Sequence, residues 1–421
     1  MNSIPYKVFN GILFALSIYL LMLSIFGIFK RKPEKISDIK HRFLILSCAH
    51  DEELVITDLI NSVFKLDYDK NLYKLFIVAD NCTDDTESRA RSIGANVLVR
   101  NNNLLVGKGY ALEWAFKKLD DMNEDYDAVV IVDADNLLHR NFLKEMNESL
   151  NEGFDVVQCF ADSKNPYDSY MTAWYSISAW MQNRIFQLSR YNLHLSNQLT
   201  GFGFAMKKEI LKRIGWRTTS LVEDLEFTCK LVLNNYKVGY SHNAIIYDEK
   251  PITMKDSVAQ RKRWMQGFAD VCVRNFPKLI KKGFREVDLK AIDCAIYIAQ
   301  PFTLTLFGIN YLLHILSKII YFLTSRESLL NLVSFDMNIT RTSSVVSIGT
   351  LLIAFMQIIY PIIIMILDKK LSIKSLWYYL FYSLYMITWF PIVIQGIINR
   401  NSKVWLHTKH FRKINIDNIN D

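Results

Sequence analysis

Two hydrophobic patterns divide the chain. In its middle, from Arg42 to about Asp248, short apolar runs alternate with amphipathic stretches. RFLILSCA, KLFIVAD, NVLVR and DAVVIVDAD read as strands, whereas EELVITDLINSVFKL, ESRARSIGA and GYALEWAFKKL carry helical spacing. Strands that alternate with helices form βαβ units, because parallel neighbours need a crossover and a helix supplies it. The predicted fold class is therefore α/β, with a mostly parallel sheet covered by helices on both faces.

Towards both ends the apolar residues run together. Val8 to Phe29 contains no charge and, at about 1.5 Å per residue, is long enough to cross roughly 30 Å of hydrocarbon. It exceeds the usual core of a signal peptide, and no small-x-small cleavage site precedes the basic cluster Lys30, Arg31, Lys32 and Lys35, so it reads as an anchor. Three further stretches fill the last third: Ala291 to Leu323 with Pro301 and Gly308, Val345 to Leu367 with Pro361, and Ile373 to Ile398 with Pro391. Prolines are tolerated in membrane helices, where neighbouring groups satisfy the freed carbonyls.

The expected organisation is a transmembrane helix in residues 1–30, a cytoplasmic domain in 31–250 and amphipathic interface helices in 251–289. About three transmembrane helices in 290–400 and a basic tail in 401–421 complete it. The basic cluster after the first helix predicts a cytoplasmic middle and a multi-pass plasma-membrane protein. Three later crossings would leave the tail outside, although it carries Arg400, Lys403, Lys409, Arg412 and Lys413. Either that tail is an exception to the charge rule, or one late stretch lies in the interface or re-enters.

Composition narrows the function. The formal net charge of +8 suits contact with an anionic leaflet. The basic residues flank apolar stretches and form no domain with a nucleic-acid docking motif, which excludes nucleic acid as the partner. Six cysteines without a C-x-x-C pair read as reduced thiols, with no zinc site. No G-x-G-x-x-G follows the first strand, so a dinucleotide cofactor is not expected.

In α/β sheets ligands bind beyond the carboxyl ends of the strands, and acidic residues gather there. Glu52 follows the first strand, Asp80 ends the second, and Asp133 with Asp135 end the fourth. Two carboxylates in Asp-x-Asp suit Mg²⁺ or Mn²⁺ with phosphate oxygens completing the coordination, although a capping turn uses the same residues. Lys108, in a glycine-flanked turn before a helix, can reach a phosphate. Glu223 and Asp224 open a later helix, where acidic charge is favourable in itself and where Asp224 can serve as a general base.

The stretch AQRKRWMQGF then places Gln260, Arg261, Arg263 and Trp264 within about two helical turns. Arg263 can hold a diphosphate by paired hydrogen bonds, Trp264 can stack on a sugar and Gln260 can bind a neighbouring hydroxyl. A plain membrane-surface helix is the alternative. The aromatic residues of the last stretch, Trp377 to Phe390, read either as a sugar path or as an interfacial belt.

The segments CAHDEE, VADNCTDDT, GKGYALEWA, IVDADN, LTGFGFAM, SLVEDLEF and QRKRW occur in this order and lead into apolar helices. In this the chain resembles the membrane-integrated family 2 glycosyltransferases, a group that includes cellulose, chitin, hyaluronan and poly-N-acetylglucosamine synthases. The resemblance implies a GT-A-like nucleotide-sugar-binding domain. It implies that Asp80 contacts uridine, that Asp133 and Asp135 bind Mg²⁺ or Mn²⁺ and the diphosphate, and that Asp224, beside Glu223, is the catalytic base. Gln260, Arg263 and Trp264 match the Q-x-x-R-W motif, with Arg261 in its commonly basic second place; Glu52 sits where the family usually has N-E, here D-E.

The activity so implied is inverting, metal-dependent hexosyl transfer from a UDP-sugar, extending a β-linked polysaccharide and extruding it. The alternative is addition of one sugar to a lipid-linked acceptor. The partners are the nucleotide-sugar donor, the growing polysaccharide or lipid-linked acceptor, and membrane lipid, with or without an accessory export subunit. A non-catalytic scaffold would not need all these carboxylates, and a two-metal phosphatase or nuclease would group its ligands with histidines, which this chain does not.

Overall fold

The computed structural model describes residues 4–31, 34, 36–325, 358–402 and 410–419. Lys32, Lys35, Lys403 and Lys409, and the first part of the Val345 to Leu367 stretch, lie outside the described residues.

Eight strands form one sheet: β1 (Phe43–Ala49), β2 (Tyr73–Asp80), β3 (Asn96–Arg100), β4 (Ala128–Asp133), β5 (Leu137–Leu138), β6 (Val156–Ser163), β7 (Phe204–Lys207) and β8 (Val238–Asp248). Their order across the sheet is β3-β2-β1-β4-β7-β6-β8-β5. The half built from β3, β2, β1 and β4 is parallel throughout, as the βαβ spacing predicts. The other half is not. β7 runs antiparallel to both β4 and β6, and β5 antiparallel to β8, while β6 and β8 are parallel. The sheet is therefore mixed, with four parallel pairings and three antiparallel ones that the βαβ reading does not anticipate, because antiparallel neighbours need no helical crossover.

Why the first strands are apolar throughout follows from burial on both faces. Phe43 and Ile45 join one core with Ile60, Val63 and Phe142, and the alternate residues Leu44 and Leu46 join a second core with Leu112, Phe204 and Phe227. A two-residue side-chain period with helices on both sides makes every position interior.

Helix α1 (Ile4–Ile25) is the one described helix that is by itself long and apolar enough to cross a membrane. Its foot is pinned by polar contacts. Tyr19 donates to Asp293, which also accepts two bonds from Arg190 at 2.8 and 2.9 Å. Arg184 donates to the carbonyls of Gly27 and Ile28 and to Asp368. Arg184 lies within, and Arg190 just after, a π-helical turn, Gln182–Leu188, that continues α6 (Tyr170–Met181).

A 33-residue helix, α10 (Met254–Glu286), follows the sheet and leads into α11 (Leu289–Ile298) and α12 (Gln300–Ser325). The stretches expected as single spans are bent. Leu289–Ile298 and Gln300–Ser317 meet at 59°, where Pro301 cannot continue the hydrogen-bond ladder of the preceding helix. Ile373–Leu380 and Tyr382–Ile398 meet at 49°. There the Tyr378 carbonyl accepts from Trp174 Nε1 and from Phe381 N rather than closing a continuous helical turn. The described residues thus contain one unbroken span, and up to three if each bent pair counts as one.

The tail packs on the α/β domain. Backbone N–H groups of Phe411 and Arg412 donate to Glu249, Ile414 N donates to Asp58, and Ile416 packs with Leu137 and Tyr247. These contacts fit the alternative in which one late apolar stretch lies in the interface or re-enters, and they leave the number of crossings open to experiment.

Candidate active site

A cavity of about 1740 Å³ opens at the carboxyl ends of β1, β2 and β4 and runs along α10 to the apolar helices. Each strand delivers its carboxylate by ending at the same edge. Asp80 is buried at the end of β2, where it pairs with Arg100 and accepts from Asn81 Nδ2; burial pushes its carboxyl up although Arg100 pulls it down. Asp133 ends β4, and its N–H donates to Asn136 Oδ1 at 2.8 Å, which closes the DADN turn.

Lys108 binds Asp133 and also donates to the Gly201 carbonyl. It is the first residue of α4 (Lys108–Asp121), presented by Gly107 at φ 127°, a conformation few L side chains adopt. Burial works against its charge, but the Asp133 and Glu223 carboxylates outweigh burial and hold the ammonium above its ordinary value.

Asp135 is buried behind Asp133 and accepts from Glu249 N at 2.9 Å, while Lys164 donates to its carbonyl and pairs with Glu249. His410, from the tail, places Nδ1 2.8 Å from Glu52 Oε1. Burial alone would lower this imidazole; Asp135, then Glu52 and Glu249, raise it to about 10, so it is cationic at neutral pH. In turn His410 and Lys164 hold the Asp135 carboxyl below its ordinary value against burial.

On the facing wall, Glu223 and Asp224 form the first turn of α9 (Glu223–Leu233). Burial first, and the Glu223 carboxylate second, push Asp224 up to about 7. Glu223 is raised too, again by burial, with Lys108 opposing.

The QRKRW run divides by helical period. Gln260, Arg263 and Trp264 line the cavity. Arg261 does not: it is fully buried against α15 (Tyr382–Ile398), counting the helices after α12 as α13 (Tyr360–Leu367) and α14 (Ile373–Leu380). Its Nη1 donates to Thr388 Oγ1 at 2.7 Å. The structure therefore brings together every carboxylate named from the sequence, with Lys108, Gln260, Arg263 and Trp264, and leaves Arg261 outside the cavity wall. Gly267 closes the same run; a Cβ there would lie 2.6 Å from Val222 Cγ2, so only glycine lets α10 abut the residue that precedes Glu223.

Several cavity residues had escaped the sequence reading. Asp248 and Glu249 had a signal, since DEKP ends a strand shortly before QRKRW. Thr200, Thr218 and His410 had none. Among the described residues, polar atoms of cavity residues that are buried without a hydrogen-bond partner include Thr200 Oγ1, Thr218 Oγ1, Tyr297 Oη, Gln260 Oε1 and Arg263 Nε. Each such group costs about 1–3 kcal/mol unless something else binds it.

Chemically, the cavity offers carboxylates for a hard cation, cationic groups for phosphate, a base with an affinity for protons near neutrality, and aromatic faces. Comparison with known proteins gives the family and the fold. Residues 41–267 match the glycosyltransferase like family 2. A probable glycosyltransferase, YdaM, of Bacillus subtilis is 25% identical over 249 residues, covering 56% of this chain and 57% of that protein. The poly-beta-1,6-N-acetyl-D-glucosamine synthase of Staphylococcus aureus strain COL is 26% identical over 295 residues, covering 65% of this chain and 68% of that protein. The chain thus spans a little over half of the first relative's length and about two thirds of the second's. Among solved structures, the mannosyltransferase PcManGT from Pyrobaculum calidifontis, in complex with GDP-Man and Mn²⁺, has a TM-score of 0.57 at 15% identity, covering 94% of this chain and 97% of that one. That similarity establishes a GT-A-like fold with a mixed sheet. With the match to residues 41–267, more than half of its length, the chain belongs to the family 2 glycosyltransferases.

Proposed function

We propose that this transferase is a plasma-membrane, metal-dependent, inverting hexosyltransferase whose domain faces the cytoplasm and which extends a β-linked polysaccharide from a UDP-sugar. The observation that carries this reading is the single cavity in which strand-end carboxylates, the raised Asp224 and the unmatched atoms of Gln260 and Arg263 meet. The Staphylococcus relative, a polysaccharide synthase by name, supports the product class.

Asp133 and Asp135 would hold Mg²⁺ or Mn²⁺. They fit, because these carboxylates already draw cations, Lys108 to Asp133 and His410 towards Asp135. A bound divalent ion would offset the charge that develops on a departing diphosphate. Asp80 would accept from the nucleoside. Arg263, whose Nε has no partner among the described residues, would hold the diphosphate. Asp224 takes the proton from the acceptor hydroxyl, whose oxygen attacks the anomeric carbon from the face opposite the leaving UDP and inverts it. A base with a pKa near 7 is deprotonated often enough at neutral pH and still binds the proton well.

A second reading, one sugar added to a lipid-linked acceptor, is favoured by the apolar end of the cavity, which Leu16 and Leu20 of α1 and Phe307 and Leu312 of α12 line. The test is UDP release by detergent-purified protein from a panel of UDP-sugars with Mn²⁺ or Mg²⁺, the products sized and D224N run alongside. Long product lost in D224N supports the synthase; a single addition supports the second reading; release unchanged in D224N overturns the assignment of the base.

A further inference from the structure

Arg261 is a buried cation whose partners are unusual. Among the described residues no carboxylate pairs with it. Its guanidinium instead lies over two ring faces, 4.7 Å from the centroid of Tyr385 and 5.1 Å from that of Trp389, and it bonds Thr388 Oγ1 and the Ser257 carbonyl. Taking an unpaired guanidinium out of water is costly, and an aliphatic side chain would join α10 to α15 without that cost. The charge therefore has a task beyond joining two helices.

That task concerns the cavity which these residues border. Tyr385 and Trp389 are one helical turn apart on α15 and both line the cavity. Trp264, three positions after Arg261, lines it too. Tyr175 of α6 connects these groups, with its ring 6.2 Å from Trp264 and 5.6 Å from Tyr385. Tyr385 is only 1% exposed, so it transmits the restraint: the guanidinium held against Tyr385 and Trp389 limits their rotation and leaves the partly exposed Trp389, with Trp264, as a fixed aromatic wall of the cavity. A fixed wall binds a flat-faced pyranose without ordering the rings anew.

We propose that Arg261 is a positioning residue: through Tyr385 and Trp389 it sets the aromatic wall that receives the acceptor saccharide, and it plays no part in holding the donor. This rests on the reading of the cavity as a glycosyltransferase site. It separates two substrates that share one cavity, because the donor-side groups, Asp80 with Arg100 and Asp133 with Lys108, bond no residue of α15.

The experiment compares R261M, which keeps length and loses charge, with R261K, which keeps charge and loses the planar fork. Thr388→Val, which removes only the hydroxyl that orients the guanidinium, is the milder variant should R261M not fold. UDP release is measured against a titration of β-linked glucose and N-acetylglucosamine oligosaccharides, and UDP-sugar hydrolysis is measured without acceptor. The acceptor KM rises about tenfold in R261M and about threefold in Thr388→Val, R261K recovers part of the loss, and acceptor-free hydrolysis and donor KM stay within about twofold. A parallel rise in donor KM, or an unchanged acceptor KM in folded R261M, overturns the proposal. Should the wild type release UDP from no donor, the function proposed above fails by itself. Quenching of tryptophan fluorescence by the same oligosaccharides then decides: weaker quenching in R261M sustains the wall, and equal quenching refutes it.

Discussion

Replacing Asp224 by asparagine should stabilise the protein at alkaline pH while abolishing turnover. Unfolded, an aspartate gives up its proton near its ordinary value of 3.8; in the fold Asp224 keeps it to about 7, owing to burial and then to Glu223. Between those two values the folded state holds a proton that the unfolded state has lost, so rising pH withdraws stability across that window and withdraws no more above it. At about 1.36 kcal/mol per pH unit the displacement corresponds to roughly 4 kcal/mol. Glu223 shares the site and the cost, so about half, ~2 kcal/mol, falls to Asp224 itself. Asparagine keeps the shape and has no proton to lose. The gain of D224N over wild type should be close to nil near pH 4, grow towards pH 7, and then level off at roughly 5 °C in melting temperature. Thermal unfolding of both proteins in detergent between pH 5 and 8.5, without nucleotide or divalent ion, reads this directly. A melting difference independent of pH, or a D224N that is the less stable protein at pH 8, would refute the assignment of Asp224 as a buried, charge-strained base. In the same preparations UDP release should fall at least about a hundredfold.

Lys108→Met removes the cation proposed to meet the diphosphate and should raise the donor KM about ten- to a hundredfold, with acceptor KM unchanged in a two-substrate titration. Chelation by EDTA should stop UDP release, and Mn²⁺ or Mg²⁺ should restore it; turnover that survives chelation would remove the metal role of Asp133 and Asp135. Gly267→Ala drives a methyl into Val222 and should cost about 1–3 kcal/mol of stability and lower kcat, since Val222 precedes the catalytic turn, as thermal melting and initial rates would reveal.

How far the sequence anticipates this molecule depends on whether an interaction is local. Strands β1 to β4 were legible because full burial makes them continuously apolar and the helices between them carry a different period. Asp80, Asp133 and Asp135 were legible because each ends such a strand. The orientation of β7 was not, since four residues, FAMK, fit either direction equally well. Arg261 illustrates a signal present but unread. Gln260, Arg263, Trp264 and Gly267 follow the i, i+3, i+4, i+7 spacing of one helical face, whereas Arg261 and Met265 share the next. In a run of three cations composition hides what the period separates. The placement of His410 had no local signal at all, because it depends on where the apolar helices return the chain.

The bond between Glu52 and His410 joins residues 358 positions apart, and this fixes an order of events during synthesis. A ribosome delivers the sheet well before residue 410, with the apolar helices made in between. The acidic pocket lacks its imidazole until that residue has been made and the preceding helices have found their places. A nascent chain delayed before that point therefore carries the sheet with an incomplete pocket, so completion of the site waits on the packing of the helices.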